Sequence, residues 1–343
     1  MTSIFIFRRD FRLIDNLGLI KALENSEEVI PIFIFTPEQV TNNEYFSANS
    51  FQFLRESLQD LQQQLQQRQS SLLLFYGENV PVLEKLHQQL SFDAIYFNQD
   101  YTPYAKDRDE KITQWASSKS IMVEAVSDYT LLPLNEVTTK SGTVYKIFTP
   151  FYKNLINRQL PQPLTSFPLG LGKSSVASDS KALDILNKTE YNNPNLAVHG
   201  GRSNGLQRLQ QTEIIANYSK NKDYPEFPTT LLSAHIKYGT VSIREVFWTF
   251  VNNPDVGLNG DLPRQIIWHD FYASVINGVA PQRTIGGGNY KEIEIPWEYN
   301  EEWWQAWITG KTGFPLVDAG IKQLLEKGWM HNQVRLLVAN ILT

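Results

Sequence analysis

The sequence predicts two domains, a doubly wound α/β domain with a parallel sheet followed by an all-α domain. Three observations predict it. Apolar runs of strand length alternate with helical spacing from Met1 to about residue 130, the pattern of a parallel sheet covered on both faces. Helical signals resume at Gly205 and continue through the last stretch, Gly310 to Thr343. At 343 residues the chain is long enough for two full cores. The expected division is 1–130 for the α/β domain, 131–200 for a connection and 201–343 for the helical domain.

Each element has its own justification. Ile4–Phe7 is a short apolar run, followed by Arg8-Arg9-Asp10 and a helix from Asn16. Val29–Phe35 is a second buried strand. Asn49–Gln67 places Phe51, Leu54, Leu58, Leu61 and Leu65 on one helical stripe with glutamines opposite. Leu72–Tyr76, Val80–Leu90, Ala94–Phe97, Ala105–Ala116 and Met122–Ala125 continue the alternation of strand and helix. Parallel sheets bind ligands beyond the carboxyl ends of their strands. The first such turn, Arg8 to Arg12, has no glycine, which argues against a dinucleotide fingerprint. From Leu160 to Asn195 proline, serine, lysine and asparagine dominate, as expected of a surface linker.

In the second half, Phe227–Ser233 reads as a helix start, with Pro228 before the first turn and hydroxyls at capping positions. Such a start is able to bind phosphate, although most only cap themselves. Ser242-Ile243-Arg244-Glu245 is a capping box with a structural role. Gln265 to Tyr272 is helical, and one face could present the amide of Gln265 beside the indole of Trp268; a buried Trp with a hydrogen-bonded Gln is the plainer alternative. The last stretch has two amphipathic segments around Gly328. Asn332 and Arg335 share a helix face there, beside an apolar face of Val334, Leu337, Val338 and Ile341. From residue types alone, that polar pair is most often a cap or a core hydrogen bond.

Composition narrows the partners. Without cysteine there are no disulfides, thiolate metal sites or cysteine nucleophiles, and a reducing, cytoplasmic compartment fits. No signal peptide or transmembrane run is evident, so no membrane partner is expected. A net charge of -5 disfavours a general polyanion binder, so any nucleic-acid contact must be local. Most of the eight Trp fall between Trp297 and Trp329, as core or as stacking surface.

G-K-T-G-F-P-L-V-D-A and G-W-M-H-N in the last stretch resemble the flavin-binding domain of the DNA photolyase and cryptochrome family, closest to class I cyclobutane pyrimidine dimer photolyases. F-I-F-R-R-D-F-R-L-I-D-N at the start, F-N-Q-D-Y-T-P-Y-A-K-D-R-D from Phe97 and K-I-F-T-P-F from Lys146 extend the resemblance over essentially the whole chain. It implies an antenna domain, an FAD-binding helical domain, UV-damaged DNA as partner, and a monomer. The implied activity is light-driven repair of cyclobutane dimers by electron transfer from reduced FAD. The alternatives are a blue-light receptor of the cryptochrome type, or an inactive or split fragment that needs further helices.

The resemblance assigns Tyr218, Thr229, Thr230, Leu231, Leu232, Ser233, His269 and Arg335 to FAD. It assigns Gln265, Trp268, Tyr272 and Asn332 to the lesion, with Trp268 stacking on the flipped dimer, and Trp307 to electron transfer. Three positions depart from the family: Gln265 replaces a glutamate, His269 an arginine near the flavin, and Gln333 an arginine on DNA phosphate. Ala105 stands where folate-binding members carry glutamate, so a deazaflavin or another flavin is the expected antenna. Asn332 matches the enzymes for cyclobutane dimers, whereas those for the (6-4) photoproduct carry histidine there. Family members continue with helices beyond the position of Thr343. Residues 1–343 alone are therefore expected to leave apolar helix faces uncovered and to bind flavin weakly or not at all.

Overall fold

The computed structural model describes residues 1–41, 43–167, 170–190, 192–278 and 298–342. Trp297 and Thr343 lie outside the described residues. Five strands, β1 (Thr2–Phe7), β2 (Glu28–Phe35), β3 (Leu73–Tyr76), β4 (Ala94–Asn98) and β5 (Met122–Val126), form one sheet in the order β3-β2-β1-β4-β5. Every pairing is parallel. Side chains alternate between the two faces of the sheet, and in β1 to β4 both faces are buried, which is why those runs are largely apolar; β5, at the edge, carries Glu124 and is partly exposed. Phe5, Phe7, Phe33 and Phe35 enter one core with Leu19, Leu58 and Leu61, whereas Ile4, Ile6, Ile32 and Ile34 enter the opposite one with Leu83 and Ile112. The predicted helices are present as Leu17–Asn25, Ala48–Gln66, Asn79–Gln89 and Pro103–Ser118. In Ala48–Gln66 the predicted stripe is the buried one, and the Ser47 side chain caps the start by accepting from the Ser50 N–H.

The segment predicted as a surface linker is not structureless. Ser180–Asn187 is a helix, and its Ala182, Ile185 and Leu186 join the α/β core; a further helix, Phe148–Ile156, precedes the segment. The Val29 N–H donates to the Gly170 carbonyl at 2.9 Å, and the Val29 carbonyl accepts from the Gly172 N–H at 2.8 Å. The segment therefore borders β2 where β3 does not pair with it. Two turns of apolar spacing were too short to stand out against a proline- and serine-rich background.

A buried cluster of charges joins the two halves. Arg12, which follows β1, donates to Asp128, which follows β5, at 2.5 Å. Arg244, on the helix Ile243–Asn252, reaches Asp15 at 3.0 Å and Asp128 at 2.7 Å. All four residues are at most 1% exposed. Burial pushes Asp128 up, but Arg12 and Arg244 outweigh it and hold its carboxyl below the usual range. The predicted capping box lies here: Ser242 accepts from the Glu245 N–H while Glu245 accepts from the Ser242 N–H, and the Ser242 hydroxyl also donates to Asp15. Gly239 lets the chains meet. Its φ is +60°, and a Cβ would lie 2.2 Å from the Arg9 carbonyl oxygen.

Asp10 sits at the edge of this cluster, accepting from the Arg8 N–H at 2.7 Å and from Asn98 at 2.5 Å. Burial outweighs these bonds and pushes its carboxyl up to about 6. A carboxyl raised on folding contributes stability below its unfolded value near 4, and that contribution is lost as pH rises through about 6. Asp10→Asn is expected to gain roughly 2–3 kcal/mol relative to the wild type between pH 4 and pH 7. Urea unfolding of both proteins at those pH values checks it, and parallel stabilities would refute it.

The second core gathers Phe148, Phe151, Ile215, Val246, Phe247, Ile267 and Phe271. The helices Glu301–Ile308, Pro315–Lys327 and Asn332–Leu342 close on a smaller cluster of Val317, Ile321, Met330, Val334 and Val338. Gly328, in the left-handed region at φ 64°, makes the predicted turn between the last two. Their predicted apolar face is only half buried: Val334 and Val338 are covered, whereas Leu337 is 46% and Ile341 38% exposed. Among the described residues no helix is long and apolar enough to cross a membrane.

Candidate functional site

A cleft of about 780 Å³ opens between the helical domain and the carboxyl ends of β1 and β4. The sheet contributes Arg9, just past β1, and Tyr101, just past β4. Strand order reverses direction between β1 and β4, and in such sheets the crevice for a ligand opens there. One helical wall carries Tyr218 and the run Thr229 to Ser233. A second is the helix Asp261–Gly278, which offers Leu262, Gln265, Ile266 and His269; the spacing of Gln265 and His269 puts both on one face. The third holds Trp329, Met330, Asn332, Gln333 and Arg335.

Among the described residues four Lys or Arg side chains border the cleft, and two are committed. Arg9 pairs with Asp100 at 2.9 Å and Lys222 with Asp261 at 2.6 Å. Among the described residues Arg335 and Lys237 have no ion-pair partner; the Arg335 Nε donates to the Met330 carbonyl at 3.1 Å, and burial lowers the Lys237 ammonium. Asp223, a lining carboxylate, accepts from Gln333 at 2.6 Å. Burial raises the Tyr218 hydroxyl, which keeps it neutral. The His269 Nδ1 lies 3.0 Å from Asp270, whose other oxygen accepts the Leu131 N–H at 2.8 Å. Asp270 is 2% exposed, and burial raises its carboxyl against the opposing pull of His269.

The structure brings together ten of the thirteen residues singled out in the sequence: Tyr218, Thr229, Thr230, Leu231, Leu232, Ser233, Gln265, His269, Asn332 and Arg335. The helix expected at Phe227 begins instead at Ser233 and ends at Lys237. Leu231 stands in the left-handed region at φ 54°, so Thr229 and Thr230 approach the cleft from an irregular loop and cap nothing. Trp268, Tyr272 and Trp307 are elsewhere. Trp268 is stacked on Phe148, with ring centres 3.6 Å apart and planes 4° apart, and does not line the cleft that Gln265 lines. Tyr272 is 58% exposed outside the cleft. Trp307 packs beside the last helices, donates its indole N–H to the Val338 carbonyl at 2.9 Å and stacks on Trp304. Arg9, Tyr101, Lys222 and Lys237 were missed; the carboxyl-end rule pointed to the first two.

A parallel α/β domain joined to a helical domain, with a large cationic cleft between them, defines a binder of a sizeable anionic ligand with flat rings. Comparison with known proteins identifies the class. Residues 3–168 match the DNA photolyase domain, and residues 262–343 match the FAD binding domain of DNA photolyase. The deoxyribodipyrimidine photo-lyase of Synechococcus sp. is 30% identical over 99% of this chain and 73% of the relative. An archaeal photolyase from Sulfolobus tokodaii, solved with two FAD molecules, superposes with TM-score 0.87 at 33% identity, over all of this chain and 74% of that one. Cryptochrome-1 of Aedes aegypti is 28% identical over the whole chain and 70% of its own length. The chain belongs to the DNA photolyase family.

The residues present fit FAD. The cleft lies within the usual size range of cofactor sites, its two uncommitted cations suit a diphosphate, and Tyr101, Tyr218 and Trp329 offer flat apolar surface.

Proposed function

We infer that this protein repairs cyclobutane pyrimidine dimers in DNA, using reduced FAD held in the cleft. The observation that carries this reading is that the run Thr229 to Ser233, Arg335, Gln265 and Asn332, drawn from three separate parts of the chain, line one cavity. When bound, reduced FAD supplies the light-driven electron that opens the dimer. The chain's own residues place and shield. Arg335 and Lys237 attract the diphosphate, with the hydroxyls of Thr229, Thr230 and Ser233 beside them. Gln265 and Asn332 offer amides, each a donor and an acceptor, to the edge of a base taken out of the duplex. An amide at Asn332 suffices because splitting by an injected electron requires no general acid. A second pigment of the flavin or deazaflavin class fits better than folate, since the buried Ala105 stands at the head of its helix where a glutamate would be needed.

Illumination tests the reading. The protein is reconstituted with FAD, reduced without oxygen and mixed with an oligonucleotide carrying one cyclobutane thymine dimer. Blue light should restore the pyrimidine absorbance near 260 nm, and darkness should not. Flavin bound without repair would favour a blue-light receptor, the reading supported by the cryptochrome relative.

A further inference from the structure

Two neighbours on the helix Asp261–Gly278 form a pair at the cleft wall. His269 lines the cleft, and Asp270 is buried behind it at 2% exposure. The His269 Nδ1 meets one Asp270 oxygen at 3.0 Å. The other oxygen accepts the Leu131 N–H at 2.8 Å, from the connection that follows β5, so the carboxyl is fixed from two sides. Nδ1 is therefore taken, and among the described residues the ring makes no other hydrogen bond. Nε2 is the nitrogen left for a ligand in the cleft.

The proton count of the pair decides what Nε2 can do. With Asp270 ionised and the imidazole neutral, Nδ1 carries the hydrogen and Nε2 is a bare acceptor. One added proton makes Nε2 a donor wherever that proton settles. On the ring it gives an imidazolium against a carboxylate. On Asp270, whose carboxyl burial already raises, it makes the acid donate to Nδ1 and moves the ring hydrogen to Nε2. A lone pair repels an anion, and an N–H holds one.

The surrounding charges set the direction. Arg9 with Asp100, Lys222 with Asp261, Asp223 with Gln333, Lys237, Arg335 and the hydroxyls of Tyr101 and Tyr218 border the same cleft. Arg244 acts on Asp270 from the helix Ile243–Asn252. With Lys237 and Arg335 outside any ion pair among the described residues, the empty cleft resists a further positive charge, and an entering anion removes that resistance.

We propose that the His269–Asp270 pair takes up one proton from solvent when an anionic oxygen of FAD enters the cleft, turning Nε2 from an acceptor into the donor that holds it. This rests on the reading that the cleft binds FAD. Asp270 is then a positioning residue, and His269 is a proton-coupled contact.

Calorimetric titration of FAD in buffers of different ionisation enthalpy counts the protons. Wild type should take up about half to one proton per FAD near neutral pH, and its Kd should rise about threefold to tenfold per pH unit above about pH 7. His269→Gln, whose amide takes up no proton, should bring the count close to zero. Asp270→Asn should do so with affinity retained: its oxygen keeps the Leu131 N–H, while its amide donates to Nδ1 and fixes the ring hydrogen on Nε2. A residue that only packs would leave the count unchanged. Oxidised FAD carries its negative charge on the diphosphate, so uptake with the oxidised form assigns the contact there, and uptake with reduced FAD alone assigns it to the flavin ring. If the wild type binds FAD without proton uptake, or if His269→Gln takes up as much as wild type, the pair is not coupled to the cofactor and the repair reading stands. If the wild type binds FAD in neither redox state, both readings fall.

Discussion

Asp128→Ala is expected to lower folding stability by about 3–5 kcal/mol, the usual penalty for removing one member of a buried charge cluster. The side chain answers two guanidiniums at once, Arg12 at 2.5 Å and Arg244 at 2.7 Å, and both would remain at most 1% exposed. Asp15 alone would then face both: Arg244 contacts its carboxylate, while Arg12 reaches only its backbone carbonyl, at 2.7 Å. The effect should be felt across the molecule, since Arg12 and Asp128 belong to the α/β domain and Arg244 to the helical one. The midpoint of urea unfolding measures it. Glu84→Ala provides the contrast, because the Glu84–Lys119 pair at 3.0 Å is on the surface and such pairs contribute about 0–1 kcal/mol. Equal losses in the two variants would mean that water or rearrangement compensates the buried arginines.

The parallel sheet was legible because four of its strands are buried on both faces and appear as apolar runs such as Ile30–Phe35, whereas β5, at the sheet edge, is partly exposed and carries Glu124. The helical walls of the cleft were legible only through resemblance. Gln265, Asn332 and Ser233 have ordinary structural explanations where they stand, and no periodicity brings them together. Arg9 and Tyr101 reach the cleft from the other domain, a neighbourhood created by the docking of Arg12 and Arg244 rather than by spacing along the chain. Trp268 is the opposite case: its position on the helix was legible, but its stacking partner Phe148 lies 120 residues earlier and could not be anticipated. The helix at Ser180–Asn187 escaped because its apolar pattern spans about two turns.

Arg335→Ala is expected to weaken FAD binding by roughly 10–100-fold, since hydrogen bonds to charged groups contribute about 1.5–3 kcal/mol. Arg9 and Lys222 are held by Asp100 and Asp261, and the Lys237 ammonium is weakened by burial. Arg335 has its Nε on the Met330 carbonyl at 3.1 Å, which steadies the side chain, and its other nitrogens remain for a ligand. A planar fork suits a diphosphate better than an ammonium does, so Arg335→Lys should fall between wild type and alanine. Fluorescence quenching of added FAD gives the affinities. The rise in unfolding temperature with FAD gives an independent measure, because a ligand of the folded state stabilises it by RT times the logarithm of one plus the ratio of free ligand to its Kd. Folding itself should be little altered, since alanine removes one backbone contact of an exposed side chain. Wild-type affinity in Arg335→Ala, with loss of binding in Lys237→Ala instead, would place the diphosphate on the opposite wall and remove Arg335 from the cofactor site.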